Sequence, residues 1–313
     1  MSHVITHVIQ RSPQVKEFCI ARVDGAALPD WQPGAHIMLA FTAADGLRHE
    51  KHYSLIGAPG AAQAYRIAVQ REENGSGGSR ALHEEFAAGS ALELSGPFNS
   101  FPLAPPKARV LLIAGGIGIT PMVSMAHALS AQGHPFELPY LAHDKSRLIL
   151  LEELRAIPGG QVVPHLSQES GRADLAGLLG DYSEGDAFYA CGPAALLQAL
   201  SHAGTQLGWP TGAMHFESFG ARTQFSDEAL TVELSLSHMT VEVTPGISIL
   251  DALIAADVFA AYDCKRGECG NCYTQVLEGE PLHRDVCLTP AMRTQGMCTC
   301  VSWARPGKLV LEL

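Results

Sequence analysis

No run of eighteen apolar residues occurs in this 313-residue chain, so no segment reads as a membrane-crossing helix. The opening stretch, MSHVITHVIQRSPQ, lacks the basic start, uninterrupted apolar run and small-residue cleavage site of a secretory signal. A cytoplasmic protein without a membrane partner is therefore expected. Basic residues are also scarce. The 21 Lys and Arg stand against 32 Asp and Glu, a net charge of -11, which argues against a broad phosphate-binding surface and thus against a nucleic-acid partner. Cysteines number only eight, and in a reducing compartment they serve as ligands or packing residues rather than as a disulfide framework. There is no internal repeat and no low-complexity tract.

What is present divides into three textures. Up to about residue 105, the apolar runs FCIARV, AHIMLAF, YRIAVQ and ALELSG are broken by turn-rich DGAALPDWQPG, TAADG, GAPG and NGSGG, the pattern of a small antiparallel barrel or sandwich. One helix is predicted there, over 79–88. Over 106–222 the continuous run ARVLLIA and the strand candidates FELPYLA, QVVPHL and DAFYACG alternate with the helix candidates PMVSMAHALSAQG, SRLILLEELRAI and PAALLQALSHAG, which is the rhythm of a doubly wound α/β domain. Pro139 within FELPYLA cannot donate to a ladder, so a bulge or an unpaired stretch is expected. ARTQFSDEA (221–229) reads as a linker. Beyond it, over 228–313, TVELSLS and TVEVTPG suggest a hairpin, SILDALIAA a helix capped by Ser248, and KLVLEL a closing strand, an α+β unit.

The most specific chemistry lies in CKRGECGNC. Cys264, Cys269 and Cys272 are spaced C-x4-C-x2-C and Cys300 follows in MCTCVSW, the plant-type [2Fe-2S] pattern; a structural zinc site would ordinarily use two short pairs. Gly267 and Gly270 suit a loop that turns tightly around sulfur. Cys298 competes with Cys300, because strand alternation would place both on one face. Cys19 and Cys287 read as packing residues. Upstream, GGIGITP follows a strand and opens a helix, where Gly115, Gly116 and Gly118 let a pyrophosphate approach, Thr120 can cap and Pro121 fits the first helical position. Cys191, Gly192 and Pro193 of FYACGP end a later strand of the same sheet. KHYSL and NGSGGSR are weak alone. Placed before a nucleotide domain and a cluster domain they fit a flavin site, since a two-electron donor and a one-electron cluster need an intermediary.

Taken in order, KHYSL, GGSR, GPFNSFPL, AGGIGITPM, YACGP, HFESFG, CKRGECGNC and CVSWARPGKLVLEL resemble the phthalate dioxygenase reductase family over nearly the whole chain. The resemblance implies a ferredoxin-reductase-type FMN barrel (1–105), an NAD domain (106–222) and a plant-type ferredoxin domain (228–313). It implies that Tyr53 packs on the flavin and Ser54 bonds near its reactive nitrogen, that Gly77, Gly78 and Ser79 hold its phosphate with Thr120 close by, and that Ala68, Val69 and Gln70 belong to the cofactor site. Glu217 and Phe219 would lie against the ring, Cys191 beside the nicotinamide, and Cys300 would be the fourth cluster ligand. Lys51 replaces the family arginine, keeping the charge but losing the bidentate fork, and His52 either shares that contact or is a surface histidine. Asp144 favours NADH by accepting from the ribose 2'-hydroxyl, whereas Lys145 or Arg147 could grip a phosphate; the family leans to NADH. A monomer is expected. It would relay electrons from NADH through FMN and the cluster to a terminal oxygenase, with a cytochrome P450 or other haem protein, or a non-catalytic redox sensor, as the alternatives. Lys265 and Arg266 read as an exposed basic pair for docking, and Trp303 stands where relatives carry arginine.

Overall fold

The structure, a computed structural model, describes residues 2–73, 75, 77–219, 227–263, 265–267 and 269–313. The chain forms two compact units, Met1–Glu217 and Ser218–Leu313. Most of the linker expected at 221–229 lies outside the described residues.

The first unit opens with an antiparallel sheet of β1 (His3–Ser12), β2 (Val15–Arg22), β3 (His36–Thr42), β4 (Arg48–Ser54), β5 (Ala64–Gln70) and β6 (Ala91–Phe98), with α1 (Gly78–Glu85) between the last two. Their order is β4-β3-β6-β1-β2-β5, and the terminal strands β4 and β5 come into contact, so the sheet curls into a barrel. Alternation along the strands places Ile37, Leu39 and Phe41 of β3 in the barrel core with Ile20, Ile67, Val69 and Leu92.

A parallel sheet follows, built from β7 (Val110–Gly115), α2 (Ile119–Ala131), β8 (Phe136–Ala142), α3 (Leu151–Arg155), β9 (Gly160–Leu166), the short helices α4 (Ser167–Ser170) and α5 (Leu175–Leu179), β10 (Ala187–Gly192), α6 (Ala194–Gln206) and β11 (Met214–Ser218). The order β11-β10-β7-β8-β9 reverses direction at β7, so the crevice between the C-terminal ends of β7 and β10 is the topological switch point. Pro139 behaves as expected of a residue without an N–H. The β7–β8 ladder pairs Glu137 and Tyr140 but not the two residues between, with no register shift, while the β9 side pairs throughout. SRLILLEELRAI yields less helix than its apolar spacing suggests. Leu150 turns left-handed (φ 59°), leaving a 3-10 turn at 145–147 and the five-residue α3.

The barrel and this sheet share apolar packing, since Val15, Ile56, Ala68 and Phe101 join the core of Val110, Leu112, Met122 and Val123. A buried polar joint lies alongside it. Arg66 of β5 donates to Glu17 of β2 at 2.7 Å and to Glu153 of α3 at 2.9 and 2.8 Å, and Arg11 reaches Glu17 at 2.8 Å. At Gly34 (φ 83°) the amide donates to Ser124 Oγ, and a Cβ would lie 1.9 Å from the Phe101 carbonyl oxygen.

The second unit has a core of its own. It comprises β12 (Leu230–Leu234), β13 (Met239–Val243), α7 (Ile249–Ala255), β14 (Tyr273–Glu278), β15 (Pro281–Leu282), α8 (Pro290–Arg293), β16 (Gly296–Cys298), β17 (Trp303–Ala304) and β18 (Lys308–Leu311). The main sheet runs β13-β12-β18-β14-β16, with β15 and β17 paired apart from it. The expected hairpin is β12–β13, and Ser248 caps α7 by accepting from the Asp251 amide.

Candidate functional site

Three constellations arise from these elements. The first lies on β4, whose register against β3 sets Tyr53 opposite Ile37, Lys51 opposite Leu39 and His49 opposite Phe41. His49, Lys51 and Tyr53 therefore share one face. His52 points to the other, is exposed, and lies 5.2 Å from the His36 ring, so it does not stand in for the missing arginine fork beside Lys51. Gly77 (φ 89°) caps α1 without a side-chain bond, leaving the first amides of the helix for an anion. A Cβ on Gly78 would meet Lys51 Cε at 2.8 Å and the His49 ring at 3.3 Å, and Arg80 Nη2 lies 3.7 Å from the Cβ position of Gly77. The cradle is thus cationic and leaves no room for a side chain at Gly78. Ser79 turns away from it, its hydroxyl accepting from the Glu72 amide at 3.0 Å. Burial raises the Tyr53 phenol above its ordinary pKa and keeps it protonated. Ser54 Oγ is buried with no partner among the described residues, a site that a bound polar group would satisfy.

On β5, Ala68 joins the shared core and Gln70 lines a cleft, whereas the Val69 side chain is sealed in the barrel and its carbonyl is 2.8 Å from His83 Nε2. Only the Val69 backbone is left to face a cofactor.

The second constellation is the switch point, where the GGIG and CGP motifs pack on each other. A Cβ on Gly118 would stand 2.1 Å from the Cys191 carbonyl oxygen, and one on Gly115 would stand 2.9 Å from Pro193 and 3.3 Å from Gly192 Cα. Of these three glycines Gly116 is the open one, with φ 57° and, chain neighbours apart, no atom of the described residues within 4 Å of its Cβ position. Contrary to expectation, Thr120 is not the cap. Gly118 is, while the Thr120 hydroxyl donates to the Ile117 carbonyl at 3.1 Å and Pro121 sits third in α2, where its missing N–H still costs no helical bond. Gly116 opens on a cleft of about 220 Å³ that Gln14 and Gln70 line from the barrel and Asp144 and Arg147 from the sheet. Asp144 accepts from the Ser146 amide at 2.9 Å, and the Ser146 hydroxyl and amide hold its carboxyl below the usual range. Arg147 lies 3.6 Å from Asp144, and Lys145 lies 3.5 Å from Glu169. Glu217 is buried near the end of β11, and Phe219 beyond it is 41% exposed.

The third is the cysteine loop. Cys264 lies outside the described residues, Cys269 is exposed, and Cys272 and Cys300 are buried. Hydrogen bonds from Cys298 and then Cys300 lower the Cys272 thiol, which favours the thiolate that a metal needs. Gly267 (φ 72°) and Gly270 (φ 78°) are both left-handed, and a Cβ on Gly267 would meet Val301 at 2.6 Å. Alternation does not relate Cys298 to Cys300, because β16 ends at Cys298 and the chain turns through Thr299, whose amide and hydroxyl both donate to the Cys272 carbonyl at 3.2 Å. Cys269, Cys272 and Cys300 are the described members of the donor set that the spacing assigns to an iron-sulfur cluster, and the two left-handed glycines suit a loop that turns tightly around it.

Two neighbours of this loop differ from expectation. Lys265 is not a free docking charge. Its Nζ donates to Asp251 at 2.9 Å and lies 4.5 Å over the Tyr262 ring. Trp303 is 1% exposed, and its indole N–H donates to the Glu228 carbonyl at 3.1 Å, so it is core. Phe259, five residues before Cys264 in sequence, is 90% exposed.

Residues 232–305 match the model of the 2Fe-2S iron-sulfur cluster binding domain. The chain is 39% identical to a putative toluene-4-sulfonate monooxygenase system reductase subunit of Comamonas testosteroni, over 94% of this chain and 93% of that one. The chain belongs to the phthalate dioxygenase reductase-type family. It is 35% identical to the Heme-dependent oxidative N-demethylase beta subunit of Ectopseudomonas mendocina, covering 99% and 97% of the two chains. Phthalate dioxygenase reductase, described as a modular structure for electron transfer from pyridine nucleotides to [2Fe-2S], superposes with a TM-score of 0.73 at 33% identity over 100% of this chain and 98% of that one. As a member of this family the chain is an NAD(P)H-dependent oxidoreductase with a flavin barrel, a nucleotide domain and a ferredoxin domain. No helix among the described residues is long and apolar enough to cross a membrane.

Sequence reasoning gave no role to His49, two residues before KHYSL, or to Arg80, the last residue of NGSGGSR, and it missed the Arg66 joint. Alternation from Tyr53 and Lys51 back along β4 would have reached His49.

Proposed function

We propose that this chain is the NADH-dependent reductase of an oxygenase system, passing electrons through FMN and a [2Fe-2S] cluster to a terminal oxygenase of the Rieske type, and that it acts as a monomer. The stations are assigned to residues 1–105, 106–222 and 228–313. The observation that carries the reading is the cleft in which Gly116 and Asp144 of the nucleotide sheet face Gln70 of the barrel, in a chain that continues into a 2Fe-2S domain.

When bound, NADH supplies a hydride, FMN converts the pair to single electrons and the cluster carries them onward. The residues bind and orient. Lys51, Arg80 and the α1 amides from Gly78 onward hold the flavin phosphate, Tyr53 packs on the ring, Ser54 donates to a flavin nitrogen, and Glu217 and Phe219 line the ring's edge. Gly116 admits the nucleotide pyrophosphate, Cys191 with Gly192 and Pro193 borders the nicotinamide, and Asp144 accepts from the ribose. The carboxylates paired with Lys145 and Arg147 leave little net positive charge for a 2'-phosphate, which favours NADH. Cys264, Cys269, Cys272 and Cys300 hold the cluster.

The Cys300→Ser variant tests the relay. Reduction of ferricyanide at the flavin should largely survive while cytochrome c reduction collapses; equal loss of both, or a retained cluster, would overturn it. The similarity to an N-demethylase subunit of heme-dependent type supports a second reading, a haem acceptor. Reduction of a purified Rieske oxygenase against a purified haem demethylase separates the two.

A further inference from the structure

We infer that Cys287 and Cys298 form an oxidisable dithiol, a second sulfur site in the C-terminal unit that peroxide closes to a disulfide. Their Sγ atoms are 3.7 Å apart, and neither belongs to the C-x4-C-x2-C set. Packing alone would account for one buried cysteine. It does not account for two whose sulfurs touch while their backbones are fixed independently. On one side, the Val286 amide donates to the Gly267 carbonyl at 2.9 Å and the Leu288 amide to Asp285 Oδ2 at 3.0 Å. On the other, Cys298 pairs with Tyr273 across β14–β16 and its carbonyl accepts from the Ser302 amide at 3.0 Å. Closing 3.7 Å to a bond of about 2.0 Å asks the sulfurs to approach by about 1.7 Å, within the reach of side-chain rotation and small backbone shifts.

Exposure assigns the roles. Cys287 is half-buried and Cys298 fully buried, so an oxidant reaches Cys287 first and Cys298 resolves. The Cys287 sulfur attacks hydrogen peroxide, breaking the O–O bond to give a sulfenic acid and water. The Cys298 sulfur then displaces the hydroxyl, which leaves as a second water with the Cys298 proton. Two electrons pass from the two thiols to one peroxide. A reduced flavin in the barrel, on the function proposed above, would supply that peroxide from dioxygen.

The dithiol adjoins the cluster loop. Cys287 Sγ lies 3.8 Å from a Cβ placed on Gly270.

The test treats the full-length holoprotein with hydrogen peroxide, alkylates the remaining thiols and maps the peptides by mass spectrometry. A Cys287–Cys298 cross-link two hydrogens lighter is expected while the cluster's visible absorption persists. Dithiothreitol should reverse it. C287S and C287A should retain wild-type ferricyanide reduction and form no cross-link. Sulfinic acid on Cys287 without a cross-link, a cross-link to Cys264, Cys269, Cys272 or Cys300, or cluster loss before any cross-link would each overturn the proposal.

Discussion

Exchanging single glycines at the switch point separates packing from nucleotide binding. A Cβ on Gly118 would lie 2.1 Å from the Cys191 carbonyl oxygen, 2.4 Å from its carbon and 2.8 Å from the Gly192 nitrogen, all backbone, so no rotamer relieves the clash. Relief to an ordinary 3.4 Å requires the ends of β7 and β10 to part by about 1.3 Å, although Ala114 and Cys191 are ladder partners there. Overpacking of this kind costs about 1–3 kcal/mol. In a unit of this size that lowers Tm by about 2–12 °C. Gly116 has no such neighbour, so alanine there pays only for its φ of 57°, about 1–2 kcal/mol. Gly133, at φ 66° and equally open at the end of α2, is the control. G116A and G133A should melt alike by calorimetry, but G116A alone should raise the NADH KM about tenfold in the ferricyanide assay with FMN content unchanged, a loss of about 1.4 kcal/mol. An unchanged KM in G116A refutes the pyrophosphate assignment, and a wild-type melt for G118A refutes the described packing of the two strand ends.

Ser54→Ala deletes a buried hydroxyl with no partner, so the apoprotein should melt at or up to a few degrees above wild type while FMN dissociates about tenfold faster; matching losses in both would remove the flavin contact. At Glu17, burial alone would raise the carboxyl, and the hydrogen bonds from Arg66 and Arg11 more than reverse this, so its folded pKa lies below the ordinary value. Its stabilisation is therefore complete above the unfolded pKa and is lost as pH falls through the folded one. Arg66→Met should cost about 1–3 kcal/mol at pH 7 and flatten the acid loss that sets in as pH falls below the ordinary glutamate value; a melt that tracks wild type at every pH would refute the joint. Lys265→Met should leave cytochrome c reduction within about twofold, because Lys265 is engaged with Asp251 in a half-exposed pair rather than free for docking, and such a pair contributes about 1 kcal/mol or less. A large, salt-dependent loss would restore Lys265 to acceptor docking. Gly267→Ala should release the cluster by forcing a left-handed alanine against Val301, and cluster absorption equal to wild type would refute that packing.

How much was legible depended on the range of the interaction. Local signals served well. Ser248 caps α7 as its three-residue spacing to Asp251 predicts, and Pro139 interrupts one ladder as a residue without an N–H must. Alternation served where strands are continuous and failed where they stop. It separates His52 from Lys51 on β4, but it misjudged Cys298 and Cys300 because β16 ends between them. Side chains whose partners are distant were not legible. Lys265 read as exposed until Asp251, fourteen residues earlier, was placed beside it, and Trp303 read as a docking position until the Glu228 carbonyl, 75 residues earlier, was found to accept its N–H.

The same limit governs the chemistry of the first unit. KHYSL and GGIGITP each predict half of a hydride-transfer site, and neither motif fixes the other half's position. That position is set by residues with no motif at all: Ala68 and Val15 buried in the sheet's core, Gly34 bonded to Ser124, and Arg66 held between Glu17 of β2 and Glu153 of α3. Hydride transfer loses rate steeply with misplacement of about 1 Å. A buried two-carboxylate clamp resists such displacement better than apolar contact alone, because moving either carboxylate strands a charge that is 29% exposed at most. Arg66 is therefore expected to help position the nucleotide-binding sheet against the barrel as well as to stabilise the unit. In Arg66→Met the primary deuterium isotope effect on NADH oxidation should rise as hydride transfer becomes rate-limiting, with Arg66→Lys recovering stability better than it recovers rate; an unchanged isotope effect would confine Arg66 to stability.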